Sequence, residues 1–139
     1  MNYAMKESCT CNRCAGEACE CGCQKAAAEL KSISAAYDVE ISLALSALQN
    51  RNYSQCFRHL ERAHVLGQRN AIKHTYAHWL MFRAGLLQCD FTEVLGQVPR
   101  MLASLVFSHI WVPVGNSGRS RVPAMKAMPV PEDLRHLLS

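Results

Sequence analysis

Four stretches of the chain repeat apolar residues at three- and four-residue steps, and each predicts an amphipathic helix. In the first, Leu30, Ile33, Tyr37, Ile41, Ala44, Leu45 and Leu48 make one stripe on a helix over 26–49. The polar run NRN at 50–52 breaks it. Asn52 with Gln55 has capping-box spacing and opens a second helix over 53–66, with Gly67 suited to its C-terminal cap. A third helix over 71–88 is apolar nearly all the way round, as expected of the most buried member. Asp90 with Glu93 repeats the capping spacing and starts a fourth helix at Phe91. Its stripe is Phe91, Val94, Leu95, Val98, Leu102, Leu105 and Val106. Pro99 falls inside that stripe, so a kink or break is expected there.

The helical pattern ends near His109. From there to the C-terminus the chain carries four Pro and two Gly, which predicts an extended tail wrapped over the helices. Within it PEDLRHLL forms a short terminal helix with Pro131 near its start. The fold class expected is all-α: a small four-helix bundle of antiparallel hairpins over 26–109, with a flexible leader at 1–25 and the tail at 110–139. The stretch 44–68 looks like one tetratricopeptide unit. No second copy follows at a 34-residue period, and such arrays need about three repeats, so a general αα-hairpin is the better reading.

Composition narrows the partners. The net charge is +4, and the Lys and Arg residues are scattered rather than gathered with aromatics on one face, which argues against nucleic acid. The N-terminus MNYAMKES lacks the apolar core of a secretory signal, and no apolar run approaches the eighteen or so residues of a membrane span. A cytoplasmic protein is the expectation. Thiols stay reduced in that compartment, so dense cysteine there points to metal or redox chemistry rather than disulfides.

The cysteines are dense indeed. Cys9, Cys11, Cys14, Cys19, Cys21 and Cys23 fall within fifteen residues, in a leader with no large aliphatic residue after Met5. Thiolate is a soft ligand suited to Zn²⁺ and Cu(I), and steps of two or three residues place neighbouring sulfurs on one ion. The pairs lie too close together for a folded zinc finger. The pattern resembles metallothionein sequence; a thiol-redox or sensing role is the alternative, and incidental cysteines the bland one.

A second candidate lies in the hairpin. Glu61 and His64 are three apart, His74 and His78 four apart, so each pair shares a helix face. With the turn centred near Gln68 and Arg69, His64 falls opposite His74, and Glu61 lies near the level of His78. Three imidazoles and a carboxylate make a sensible Zn²⁺ or Fe site. His59 falls off the apolar stripe and is expected to be exposed. A di-iron centre would need a second Glu-x-x-His, which the chain lacks; Glu40 is the nearest extra carboxylate. The bland alternative is that Glu61 pairs with an arginine and the histidines hydrogen-bond as buried polar residues do. Cys56 and Cys89, near helix ends, read as small core residues.

The segments HLERAHVLGQ at 59–68, HTYAHW at 74–79, VPVGNSG and AMPVPEDL are similar to a bacterial family catalogued as domain of unknown function 3703. The resemblance covers roughly residues 30–138, and in this chain a shorter run, SGRSRV from Ser117, follows the GN step. It implies a small helical protein, with some members in metal-resistance settings, and no particular reaction. The cysteine leader is an addition to that domain.

The leading expectation is therefore binding, sequestration or transfer of a soft metal ion, Zn or Cu(I), through the leader, with a second His/Glu site in the bundle. One alternative is an interaction adaptor that binds a protein partner and senses redox state or metal through its cysteines. Another is a single-metal enzyme using His64, His74 and His78 with Glu61 as ligand or base. No phosphate-binding loop, nucleophile elbow or dinucleotide fingerprint is present.

Overall fold

Side-chain caps open three of the helices, at Asn52 and Asp90 as spacing predicts and also at Asn70. Asn52 Oδ1 accepts the Gln55 N–H at 3.3 Å, Asn70 Oδ1 accepts those of Ile72 and Lys73 at 3.1 Å, and Asp90 Oδ1 accepts that of Glu93 at 3.2 Å. The structure, a computed structural model, describes the backbone of residues 22–107 and 113–138 and the side chains of 28–106 and 113–138. The helices are α1 (Gly22–Gln49), α2 (Tyr53–Gly67), α3 (Ala71–Leu87) and α4 (Phe91–Phe107), then a 3₁₀ turn (Glu132–Leu134) running into α5 (Arg135–Leu138). The described residues contain no strand, and the all-α bundle expected from the sequence is what forms.

Three-residue turns make successive helices neighbours, and packing is mainly sequential: α1 on α2, α2 on α3, α3 on α4. The apolar core joins the first three. Tyr37, Ile41, Ala44 and Leu48 of α1 meet Phe57 and Leu60 of α2 and Leu80, Met81 and Ala84 of α3, and Leu134 closes one end. Leu60 is wholly buried, so truncating it to Ala should cost about 2–5 kcal/mol.

Several local expectations are corrected. Gly67 is the last residue of α2 rather than a left-handed cap, since Gln68 after it is still right-handed. Its missing side chain answers a different need: a Cβ there would come within 2.9 Å of the Tyr37 ring. Pro99 does not break α4. Pro99 and Leu95, whose carbonyl it would otherwise bond, both lie on the solvent side, where water can take the freed carbonyl. Helix α3 is not buried all round, for Ile72, Tyr76, Trp79, Leu86 and Leu87 are exposed. Cys56 belongs to the core, but Cys89 is exposed in the turn after α3, with a φ of 58°. His59 is half-buried rather than exposed, held by Glu40 Oε2 at 2.7 Å.

The largest departure is α4. Its apolar stripe, apart from the half-buried Val94, faces outward, and its inner face is polar: Glu93 and Gln97 are 0% exposed and Ser104 is buried. Hydrogen bonds to α3 and to the tail turn the helix this way round.

A candidate metal centre of three histidines

The α2–α3 turn over 68–70 sets the register. His64, three residues before Gly67, meets His74 on the first turn of α3, and His78 follows one turn later on the same face. All three are buried. Their Nε2 atoms converge: His64 to His74 is 2.7 Å, His64 to His78 is 3.2 Å and His74 to His78 is 3.2 Å. The rings meet edge-on or tilted, with centroids 4.5 to 4.9 Å apart, so nitrogens rather than ring faces point inward.

The outer nitrogens decide where the protons are. His64 Nδ1 lies 2.8 Å from the backbone carbonyl of Asn116, which only accepts, so this nitrogen carries the hydrogen. His78 Nδ1 lies 2.7 Å from Gln97 Oε1. Gln97 cannot be turned about, because its Nε2 donates to Glu93 Oε1 at 2.7 Å and to the Gly118 carbonyl at 3.0 Å. His78 therefore also donates through Nδ1. With both outer nitrogens protonated, the inner Nε2 atoms of neutral His64 and His78 present lone pairs to each other.

A hydrogen on His74 Nε2 could serve one of those contacts, never all three. Protonating a ring would supply another, but burial works against it. Burial, reinforced by the other two rings, holds His64 well below the usual imidazole range; burial lowers His74 to about 4 and, with His74 beside it, His78 to about 3. Two bare lone pairs, with the His74 Nε2 converging on them, fit a cation. Tetrahedral zinc with imidazole ligands sets its nitrogens about 3.3 Å apart, so the 3.2 Å pairs match and the 2.7 Å pair needs to open by about 0.6 Å. Imidazole suits Zn²⁺, Cu²⁺, Fe²⁺ and Ni²⁺. Three protein nitrogens leave a fourth position for water, a substrate atom or a further ligand.

Around the histidines runs a polar frame built by α4 and the tail. Gly118 sits against the His64 ring at a φ of +79°, and a Cβ there would lie 2.7 Å from His64 Cδ2. Its neighbour Arg119 donates from Nε to Glu93 Oε2 and from Nη1 to Glu61 Oε1, both at 3.2 Å, with its guanidinium 3.8 Å from the centre of the Phe57 ring. Glu93 also accepts from Ser120 Oγ at 2.7 Å. Burial alone would raise the Glu93 pKa, but the Ser120, Gln97 and Arg119 donors outweigh it and leave it lowered. Asn116 is pinned in turn: its side chain donates to the carbonyls of Pro123 and Lys126.

Of the sequence-predicted ligands, the structure brings together His64, His74 and His78, the group among the described residues that could share an ion. Glu61 is not in it. Arg119 holds that carboxylate at the half-exposed edge of the frame. Glu40 serves His59 and Arg62 instead. Cys9, Cys11, Cys14, Cys19 and Cys21 lie outside the described residues, and Cys23 falls in the first turn of α1, where the backbone alone is described. Sequence reasoning missed Glu93, Gln97, Asn116, Gly118 and Arg119. A signal existed for two of them: Glu93, Gln97, Arg100 and Ser104 recur at four- and three-residue steps. A polar stripe of that kind is read by default as the solvent side.

Comparison with curated proteins gives no match, and neither does comparison with solved structures. A family model does match, that of a "protein of unknown function (DUF3703)", over residues 31–138. That span runs from the third turn of α1 to the last residue of α5 and takes in all three histidines and their frame. The chain belongs to the DUF3703 family.

Proposed function

We propose that this is a metal-handling protein whose helical domain holds one transition-metal ion on His64, His74 and His78. The observation that carries the reading is the set of three inward Nε2 atoms, two of them shown by their outer hydrogen bonds to be bare lone pairs. An all-imidazole set favours Zn²⁺ or a similar divalent ion over Cu(I). The Cys leader, from Cys9 to Cys23, supplies the softer thiolate chemistry. In a reducing cytoplasm it would capture Zn²⁺ or Cu(I), as in homeostasis or resistance, and pass an ion on by ligand exchange. Thiolates must lose protons to bind, so capture by the leader weakens in acid.

Native mass spectrometry of the full chain tests this. A variant with the six leader cysteines changed to Ser should retain one Zn²⁺ per chain. A variant with His64, His74 and His78 changed to Gln should lose that ion while keeping those bound to the leader. If the cysteine-free leader variant takes up no Zn²⁺, Ni²⁺, Co²⁺ or Cu²⁺ at neutral pH, the histidines are structural and the reading fails.

A further inference from the structure

The outward face of α4 is the largest feature that the histidine centre does not explain. Phe91, Leu95, Leu102 and Val106 are 61–73% exposed, and Val98 and Leu105 are about half exposed. Together they offer on the order of 600 Å² of apolar surface, at the upper end of what a monomer leaves uncovered and near the ~800 Å² per partner of a standard interface.

The rest of the chain is poorly suited to cover that face. Residues 1–21 carry no Leu, Ile, Val, Phe or Trp. The five residues 108–112, SHIWV, are mostly apolar but extend at most about 18 Å, too short to run the length of α4, whose seventeen residues span about 25 Å.

Spacing and charge identify the occupant. Phe91, Leu95, Val98, Leu102 and Leu105 follow steps of four, three, four and three, the a/d seam of a helix that pairs with another helix. The seam is also nearly symmetric about Val98. Laid antiparallel on a copy of itself, it sets Phe91 against Leu105, Leu95 against Leu102 and Val98 against Val98, as a two-fold axis requires. The exposed residues between, Thr92, Pro99 and Ala103, carry no charge. Two copies of a chain with net charge +4 can therefore meet here without repulsion, while a charged partner would find nothing to pair with. We propose that two copies of this chain form a two-fold dimer through antiparallel packing of their α4 helices. The pairing would brace the helix whose inner face carries Gln97 and Glu93, but it needs no metal.

Analytical ultracentrifugation of the full chain under reducing conditions tests the pairing. The wild-type chain should sediment at twice its 15.5 kDa mass. Leu95→Glu with Leu102→Glu should give a monomer with unchanged helical circular dichroism, because both side chains are exposed. Mixing that variant with Leu95→Lys/Leu102→Lys should restore the dimer mass, since antiparallel pairing sets position 95 against 102. Val39→Glu, at an exposed apolar site on α1, should remain dimeric. A wild-type monomer across the micromolar range overturns the proposal, and so does a dimer that survives the double Glu substitution.

Discussion

Gln97 Oε1 lies 2.7 Å from His78 Nδ1, and the Gln97 amide that makes this contact is itself locked by Glu93 and Gly118. A residue of α4 thus fixes which nitrogen of an α3 histidine faces the centre. Partners of this kind orient a metal ligand and raise its basicity. Changing Gln97 to Leu keeps the approximate volume and removes every hydrogen bond. We expect a stability loss of about 1–3 kcal/mol, from a buried imidazole N–H left without an acceptor. Metal affinity in the leader-cysteine-free chain should fall about 10- to 100-fold. Competition titration against a chelator reads the second effect; unchanged affinity would remove Gln97 from any role in orienting His78.

Gly118 should tolerate nothing larger. In Gly118→Ala the new methyl would meet the His64 ring at 2.7 Å on backbone of positive φ. The strain is about 1–3 kcal/mol, and relief requires His64 to move out of the centre. Gly67→Ala is the matched comparison, since its methyl would press on Tyr37 at 2.9 Å, on the α1 side of the hairpin. Both variants should lower the urea midpoint, and Gly118→Ala alone should weaken Zn²⁺ binding. Equal affinities in the two would show that the 118 position does not govern the His64 ring.

Arg119 is the nearer of two cations that meet the buried Glu93, at 3.2 Å against 3.7 Å for Arg121. Arg119→Met keeps contact with Phe57 but leaves the carboxylate without its closest guanidinium. Removing one member of a buried pair costs about 3–5 kcal/mol. The double variant Arg119→Met/Glu93→Gln should recover part of that loss, because the uncompensated charge is gone. Chemical denaturation of the four proteins gives the coupling; strictly additive losses would mean that Arg119 and Glu93 do not depend on each other.

Acid should destabilise the metal-free protein through the histidines. In the unfolded chain each imidazole titrates near 6.5, whereas burial holds His74 at about 4, His78 at about 3 and His64 low as well. Between those values the unfolded chain binds protons that the native state refuses, so native stability rises with pH and falls as pH drops from about 6.5 toward 4. At pH 5 the loss is about 2 kcal/mol each for His74 and His78, and His64 adds a loss of the same sign. Urea midpoints measured with chelator at pH 7, 6 and 5 should decline steeply, and His74→Gln/His78→Gln should flatten the decline. At pH 7, Zn²⁺ at about a hundred times its Kd should add about 2.7 kcal/mol. A profile as steep in the double variant would assign the acid sensitivity to other groups.

Much of this molecule is local, and local features are legible in a sequence. Asn52 and Asp90 cap the starts of their own helices through bonds three residues on, so those boundaries follow from spacing. The convergence of His64, His74 and His78 needed only a helical period and a short turn between two helices. Neither argument requires knowing where any distant residue goes.

The facing of α4 could not be obtained that way. Amphipathicity defines two faces, and the usual assumption sends the apolar one inward. Here Gln97 is drawn to His78, Glu93 to Arg119 and Ser120, and Ser104 to Thr75 Oγ1 at 2.6 Å. Buried polar groups must be paired, and these partners are found across α3 and the tail. The same distant chemistry took Glu61 from the histidines, because Arg119, fifty-eight residues later, arrives beside it. Spacing along the chain was enough for the four helices, the Asn52 and Asp90 caps and the meeting of three imidazoles. Tertiary structure alone decided which face of α4 is inside, which nitrogens are left bare and which carboxylates are already taken, since each depends on hydrogen bonds between residues far apart in the chain.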